Sequence, residues 1–180
     1  MSNEPEKRID VRDVRRFLLG FGEVKVAYDG VRQDVRNFYD NVNGATGTRG
    51  GFFEGMKATD IFIYAMCLGK LQGESLPFEK DTVTKKTDER RTIDLKHFAN
   101  QPEYVWMMVA VALEETKDSN GNPTMEIFKE PKKIIGICEG YANAGIGDLI
   151  KMAESGGTDD QFRGYLLKLR ELIDAKTDKK

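Results

Sequence analysis

The chain has 180 residues, a charged fraction of 32% with both signs interspersed, and a net charge of -2. That length buries one good core without disulfides or metals, and that charge makes no global case for nucleic acid, so a polyanion site must be a local patch. Cys67 and Cys138 both fall in apolar helical patterns, where a thiol behaves as a small hydrophobe, and are read as reduced in a cytoplasmic protein.

Residues 1–8 are polar and read as disordered, without the apolar run of a signal peptide. No stretch approaches the ~20 apolar residues of a membrane span, so no membrane partner is expected. Ile9, Val14, Phe17, Leu18 and Phe21 set against Arg12, Asp13, Arg15 and Arg16 predict a short amphipathic helix ending near Gly20 or Gly22. Val31, Val35, Phe38 and Val42 keep helical spacing, and a helix is favoured from about Val24 to Asn41 with a break at Gly30. Alternation at Val24–Ala27 offers a brief strand instead.

Between Asn43 and Met56 stand five glycines, a density that ends regular structure and defines a loop over 43–57. Thr59 or Asp60 is placed to cap a helix through Ile61–Leu68, apolar on nearly every side, with Gly69 and Gly73 as its end; a buried strand is the competing reading of so short a run, and Ala65, Met66 and Leu68 favour the helix. Residues 74–91 form an exposed charged connection, and Thr92–Ala99 a helical turn or an edge segment. Pro102 then opens a second buried helix. Tyr104, Met107, Met108, Val111 and Ala112 make its stripe, and Trp106, Val109, Ala110 and Leu113 widen it. Lys117–Pro123 is a turn.

The stretch Glu130–Glu154 reads as helix, glycine stop, helix. Ile134, Cys138 and Tyr141 share one face, Asn143-Ala144-Gly145 suits a helix end, and Ile146, Leu149, Ile150 and Ala153 restart the period. Glu139, Tyr141, Asn143 and Asp148 are its chemically interesting members; Glu139 and Tyr141 are placed to line a pocket. A last helix follows Thr158 or Asp159, with Phe162, Tyr165, Leu166, Leu169, Leu172 and Ile173 on one side, and 176–180 is a loose tail. The expected fold is all-α with room for minor strand content near 24–27, a single domain over 9–175 of about six or seven helices.

Chemistry is thin. One histidine and two distant cysteines do not make a zinc site, and no nucleophile elbow surrounds either cysteine, so His97 reads as an exposed or hydrogen-bonded histidine at a helix end. No cofactor is expected. The glycine-rich loop lacks the spacing and lysine of a P-loop and reads as a hinge or turn; if it held an anion, Thr46, Thr48 and Arg49 would carry it. A metal-dependent nuclease needs two acids and a lysine around Mg²⁺, a pattern met in letter by Asp13 with Glu23-Val24-Lys25, or by Asp81 or Asp88 with Asp94-Leu95-Lys96. In so charged a chain such matches arise by chance. Contact with a DNA backbone would fall to Arg12, Arg15, Arg16, Arg49, Lys85, Lys86, Arg90 and Arg91, each group diluted by neighbouring acids.

Three segments carry a resemblance: Gly55-Met-Lys-Ala-Thr-Asp-Ile-Phe-Ile-Tyr-Ala-Met-Cys-Leu-Gly69, the helix Val105–Glu115, and Cys138-Glu-Gly-Tyr-Ala-Asn-Ala-Gly-Ile-Gly-Asp-Leu149. Together, over roughly 52–155, they resemble small accessory proteins encoded beside bacterial and archaeal DNA phosphorothioation (Dnd) systems. In that family an apolar helix ends in Leu-Gly, and a later Glu-Tyr-Ala-Asn-Gly-Gly-like turn precedes a helix. This chain departs at Gly140 and at Ala144. The resemblance implies a role in defence against foreign DNA, as a non-catalytic accessory or DNA-associated component, and assigns no catalytic residue. Other proteins of the system, or a second copy, are the expected partners; a protein-binding adaptor is the further alternative.

Overall fold

The structure is a computed structural model that describes residues 20, 25–43, 56–77, 91–94, 97–98 and 101–154. In chain order these form β1 (Lys25–Tyr28), α1 (Gln33–Asn43), α2 (Ala58–Gln72), β2 (Arg91–Asp94), α3 (Pro102–Glu115), a 3-10 turn (Met125–Lys129) and α4 (Pro131–Glu154).

The described residues are mostly helical, but the all-α expectation is corrected by a two-stranded antiparallel sheet. Val26 pairs with Ile93 and Ala27 with Thr92, while Lys25 Nζ lies 3.5 Å from Asp94 Oδ1 across the strands. The favoured helix from Val24 thus gives way to its alternative. The strand Lys25-Val-Ala-Tyr28 needs a partner, and β2, distant in sequence, supplies it. Asp29 ends the strand: its Oδ1 accepts from Val31 N and Arg32 N, an Asx-type turn that leads into α1. α1 turns Val35 and Tyr39 inward at i, i+4, and the Tyr39 ring stacks on Tyr28 at 4.0 Å between centroids.

Four α-helices lie among the described residues, fewer than six or seven; the helices expected near 9–21 and after Thr158 fall outside the described span, as does most of the 43–57 loop. α2 starts differently from the expectation. Lys57 is its N-cap, and Asp60 stands at the third position with Oδ2 accepting from Lys57 N at 2.8 Å, half of a capping box; Thr59 is buried. Gly73, at φ 74°, closes it in a Schellman motif, Glu74 N donating to Gly69 O and Gly73 N to Lys70 O.

α3 begins with Pro102 in its first turn and buries Val105, Met108, Val109 and Ala112. Phe98 is fully buried, edge-on to Phe62 of α2 and to Tyr104 of α3. The turn 117–123 forms as expected: Asp118 Oδ1 accepts from Asn120 N and Asn122 N, and Lys117 bridges to Pro123.

The largest correction concerns Pro131–Glu154, which is one uninterrupted helix of 24 residues and not two joined at Gly145. Gly145 is an interior contact. A Cβ there would stand 2.6 Å from Gly69 N, so the missing side chain lets α4 cross α2 with backbones nearly touching. Among the described residues α4 is the central element. Its buried face, from Ile134 through Cys138, Tyr141, Ala142 and Ile146 to Ile150, collects α1, α2, α3 and β1 around it.

Candidate functional site

Where α4 passes β1, its polar residues face a small cleft lined by β1, α1 and α4. Glu139 Oε1 accepts from Ala27 N at 2.6 Å, so a carboxylate occupies the place where the carbonyl of a third strand would pair with β1. One turn on, Asn143 Nδ2 donates to Pro77 O at 2.9 Å and Leu76 O at 3.4 Å. Between them Gly140 O accepts from Leu76 N at 3.0 Å. These three positions clamp β1 and the segment after α2 to the middle of α4. Asn143 is 6% exposed, and its buried Oδ1 has no hydrogen-bond partner among the described residues. The Tyr39 hydroxyl group's pKa is pushed far up, first by burial and then by neighbouring Tyr28.

Of the residues placed for a pocket, Glu139 reaches this cleft and Tyr141 does not. Tyr141 points to the other side of α4, where Lys70 Nζ sits 5.0 Å above its ring. Lys70 pairs there with Glu114 at 3.2 Å and with Glu115, and the Tyr141 hydroxyl also meets Glu115. Burial pulls the Lys70 pKa down, but hydrogen bonds to Glu115 and Glu114 outweigh it and leave it raised. The hydrogen bond from Lys70, then that from Tyr141, holds Glu115 below the usual carboxylate range. Asp148 is tied to Gln72 and Lys151. Glu139, Tyr141, Asn143 and Asp148 thus tie α4 to the strand, helices and segment around it.

A second surface is apolar and open. Tyr104 OH donates to Asp60 Oδ1 at 3.0 Å near the starts of α2 and α3, and Lys70 joins Glu114 and Glu115 near their ends, so the two helices run side by side in one direction. On α2 Tyr64 is 46% exposed, and on α3 Trp106 is 44% and Met107 38% exposed. Reading Trp106 and Met107 as part of a buried stripe is corrected. The apolar run of α3 covers more than the half-turn that α2 and α4 can bury, and that excess width was the signal in the sequence.

The residues expected to touch DNA are mostly not among those described: Arg12, Arg15, Arg16, Arg49, Lys85, Lys86 and Arg90 lie outside, together with Thr46 and Thr48. Arg91 alone is placed, at the first position of β2 opposite Tyr28 and not in the loop assigned to it. Asp13, Glu23, Asp81, Asp88 and Lys96 also lie outside. Lys25 and Asp94, taken from two separate nuclease-like patterns, are brought together as an ion pair across the strands. His97 is exposed, in a short helical turn before Phe98. Among the described residues no helix is long and apolar enough to cross a membrane.

The family model of DNA sulphur modification system-associated protein 4 matches residues 31–179, a span that takes in α1 to α4 and extends well beyond the segments that carried the resemblance. No curated protein and no solved structure matches the chain. The match agrees with the DNA phosphorothioation context read from Gly55–Gly69, Val105–Glu115 and Cys138–Leu149. On this match over most of its length, the chain belongs to the family of DNA sulphur modification system-associated protein 4.

Proposed function

We propose that this chain is a non-catalytic accessory subunit of a DNA sulphur modification system and works by binding another protein of that system through the exposed face of α3. The exposed Trp106, with the exposed Met107 next to it in the chain, carries the reading. Tryptophan, tyrosine and methionine are enriched in interface cores, and each leaves apolar area in water until a partner covers it. The polar residues of α4 support the reading from the other side, because Glu139, Tyr141 and Asn143 all serve internal hydrogen bonds.

The test is binding between the purified full-length chain and each purified protein of its own sulphur modification system, by size-exclusion chromatography and calorimetry. The expected result is a complex with one of them that Trp106→Ser weakens by at least about tenfold while circular dichroism stays unchanged. Undiminished binding by Trp106→Ser moves the interface elsewhere. A duplex-DNA shift that fades across a salt series would instead favour backbone contact through the arginines and lysines named above.

A further inference from the structure

Five of the exposed residues of α3 follow one line: Glu103, Trp106, Met107, Ala110 and Glu114, at i, i+3, i+4, i+7 and i+11. The middle of that line is apolar and each end is a carboxylate. A rise of ~1.5 Å per residue sets the two acids about 16 Å apart. Glu115 adds a third acid to a helix that has no lysine or arginine, and the carbonyl end of the helix adds its own partial negative charge. Lys70, paired with Glu114 and Glu115, and Lys117, beside Glu115, offset part of this at the Glu114 end.

From this pattern we infer that the face receives an amphipathic helix of a partner protein, its apolar stripe bounded at both ends by lysine or arginine; the inference rests on the protein-binding reading above. Charge selects among the occupants. A phosphate backbone laid along α3 meets carboxylates at both ends, which disfavours nucleic acid on this face. A second copy docked by a two-fold axis antiparallel to α3 brings Glu103 against Glu114, like charge on like. A helix with basic residues about eleven positions apart, and apolar ones at i+3, i+4 and i+7 between them, satisfies both the stripe and its ends.

Trp106 is the single tryptophan of the chain, so its emission reports on this face directly. The full-length protein is titrated with two synthetic helical peptides of about four turns that share one leucine stripe, one ended by lysines and the other by glutamates. The expected result is a blue shift of Trp106 with the lysine peptide and binding of the glutamate peptide weaker by about tenfold or more. Glu103→Lys with Glu114→Lys reverses that order, and Trp106→Ser, followed by calorimetry, loses both. Equal binding of the two peptides, or an order unmoved by the double charge reversal, overturns the charge rule and leaves the protein-binding reading standing. Binding of the lysine peptide that survives Trp106→Ser lies elsewhere and overturns the inference. If neither peptide binds, the inference falls, while the reading beneath it is decided by the separate test with the system's own proteins.

Discussion

Gly145 of α4 faces Gly69 of α2 so closely that a Cβ added to Gly145 would stand 2.6 Å from Gly69 N and overlap Ala65 O. A Cβ on Gly69 would in turn overlap Tyr141 O and stand 3.2 Å from Gly145 N. The two helices through the middle of the core are spaced by these missing side chains, and everything packed on α4 inherits that spacing.

Gly69→Ala and Gly145→Ala are each expected to destabilise by more than about 2 kcal/mol, since the obstacle is backbone that cannot rotate away. The double variant should lose less than the sum, because the first methyl already parts the helices. Gly136→Ala, where no atom lies within 4 Å of the new Cβ, should gain about 0.5–1 kcal/mol from helix propensity. Urea midpoints at constant m-value measure all of these.

Glu139 holds β1 by a charged hydrogen bond to Ala27 N. Glu139→Ala should cost about 1.5–3 kcal/mol and expose the Ala27 amide to rapid hydrogen exchange. Glu139→Gln keeps a carbonyl acceptor and should cost less than half as much. Equal losses for the two variants would show that the acceptor itself is not what holds the strand.

Asn143 donates to two carbonyls, so its replacement by an acceptor is worse than its removal. At pH 7 Asn143→Asp should be less stable than Asn143→Ala by about 1–3 kcal/mol, with a carboxylate forced against Leu76 O and Pro77 O. Acid should narrow the gap, because the protonated side chain donates again. Denaturation of both variants at pH 7 and pH 4 checks this.

The Lys70 cluster makes a pH prediction with a defined sign. Glu115 titrates lower in the folded chain than in the unfolded one, so its contribution is complete above about pH 4.3 and is lost as pH falls through its lowered value. Lys70 titrates higher when folded, so its contribution is complete below about pH 10.4 and is lost as pH rises through its raised value. The stability difference between wild type and Lys70→Met should be flat between about pH 5 and pH 10 and shrink toward both extremes. Its size should stay near 1 kcal/mol or below, since Glu115 is 38% exposed and water screens the pair. Melting temperatures of both proteins across pH provide the comparison.

The sequence alone determined the apolar periodicities that became α2, α3 and α4, the turn at 117–123, and the segments shared with the phosphorothioation-associated family; of the two glycines it offered as the end of α2, Gly73 is the end and Gly69 is interior. Each of these is a local property: a stripe, a cap or a motif is written in residues a few positions apart. Only the tertiary structure decided the rest. Gly145 carries the same local message whether it ends a helix or admits a neighbour, and the approach of Gly69, far away in the chain, turned an expected stop into a crossing. Lys25–Tyr28 became a strand because Arg91–Asp94 came to pair with it and Glu139 to cap its edge. Trp106 and Met107 stayed in water because a helix with a wide apolar surface has more of it than its neighbours can cover. Periodicity tells which face of an element is apolar, whereas the number and distance of the elements around that face are set by packing.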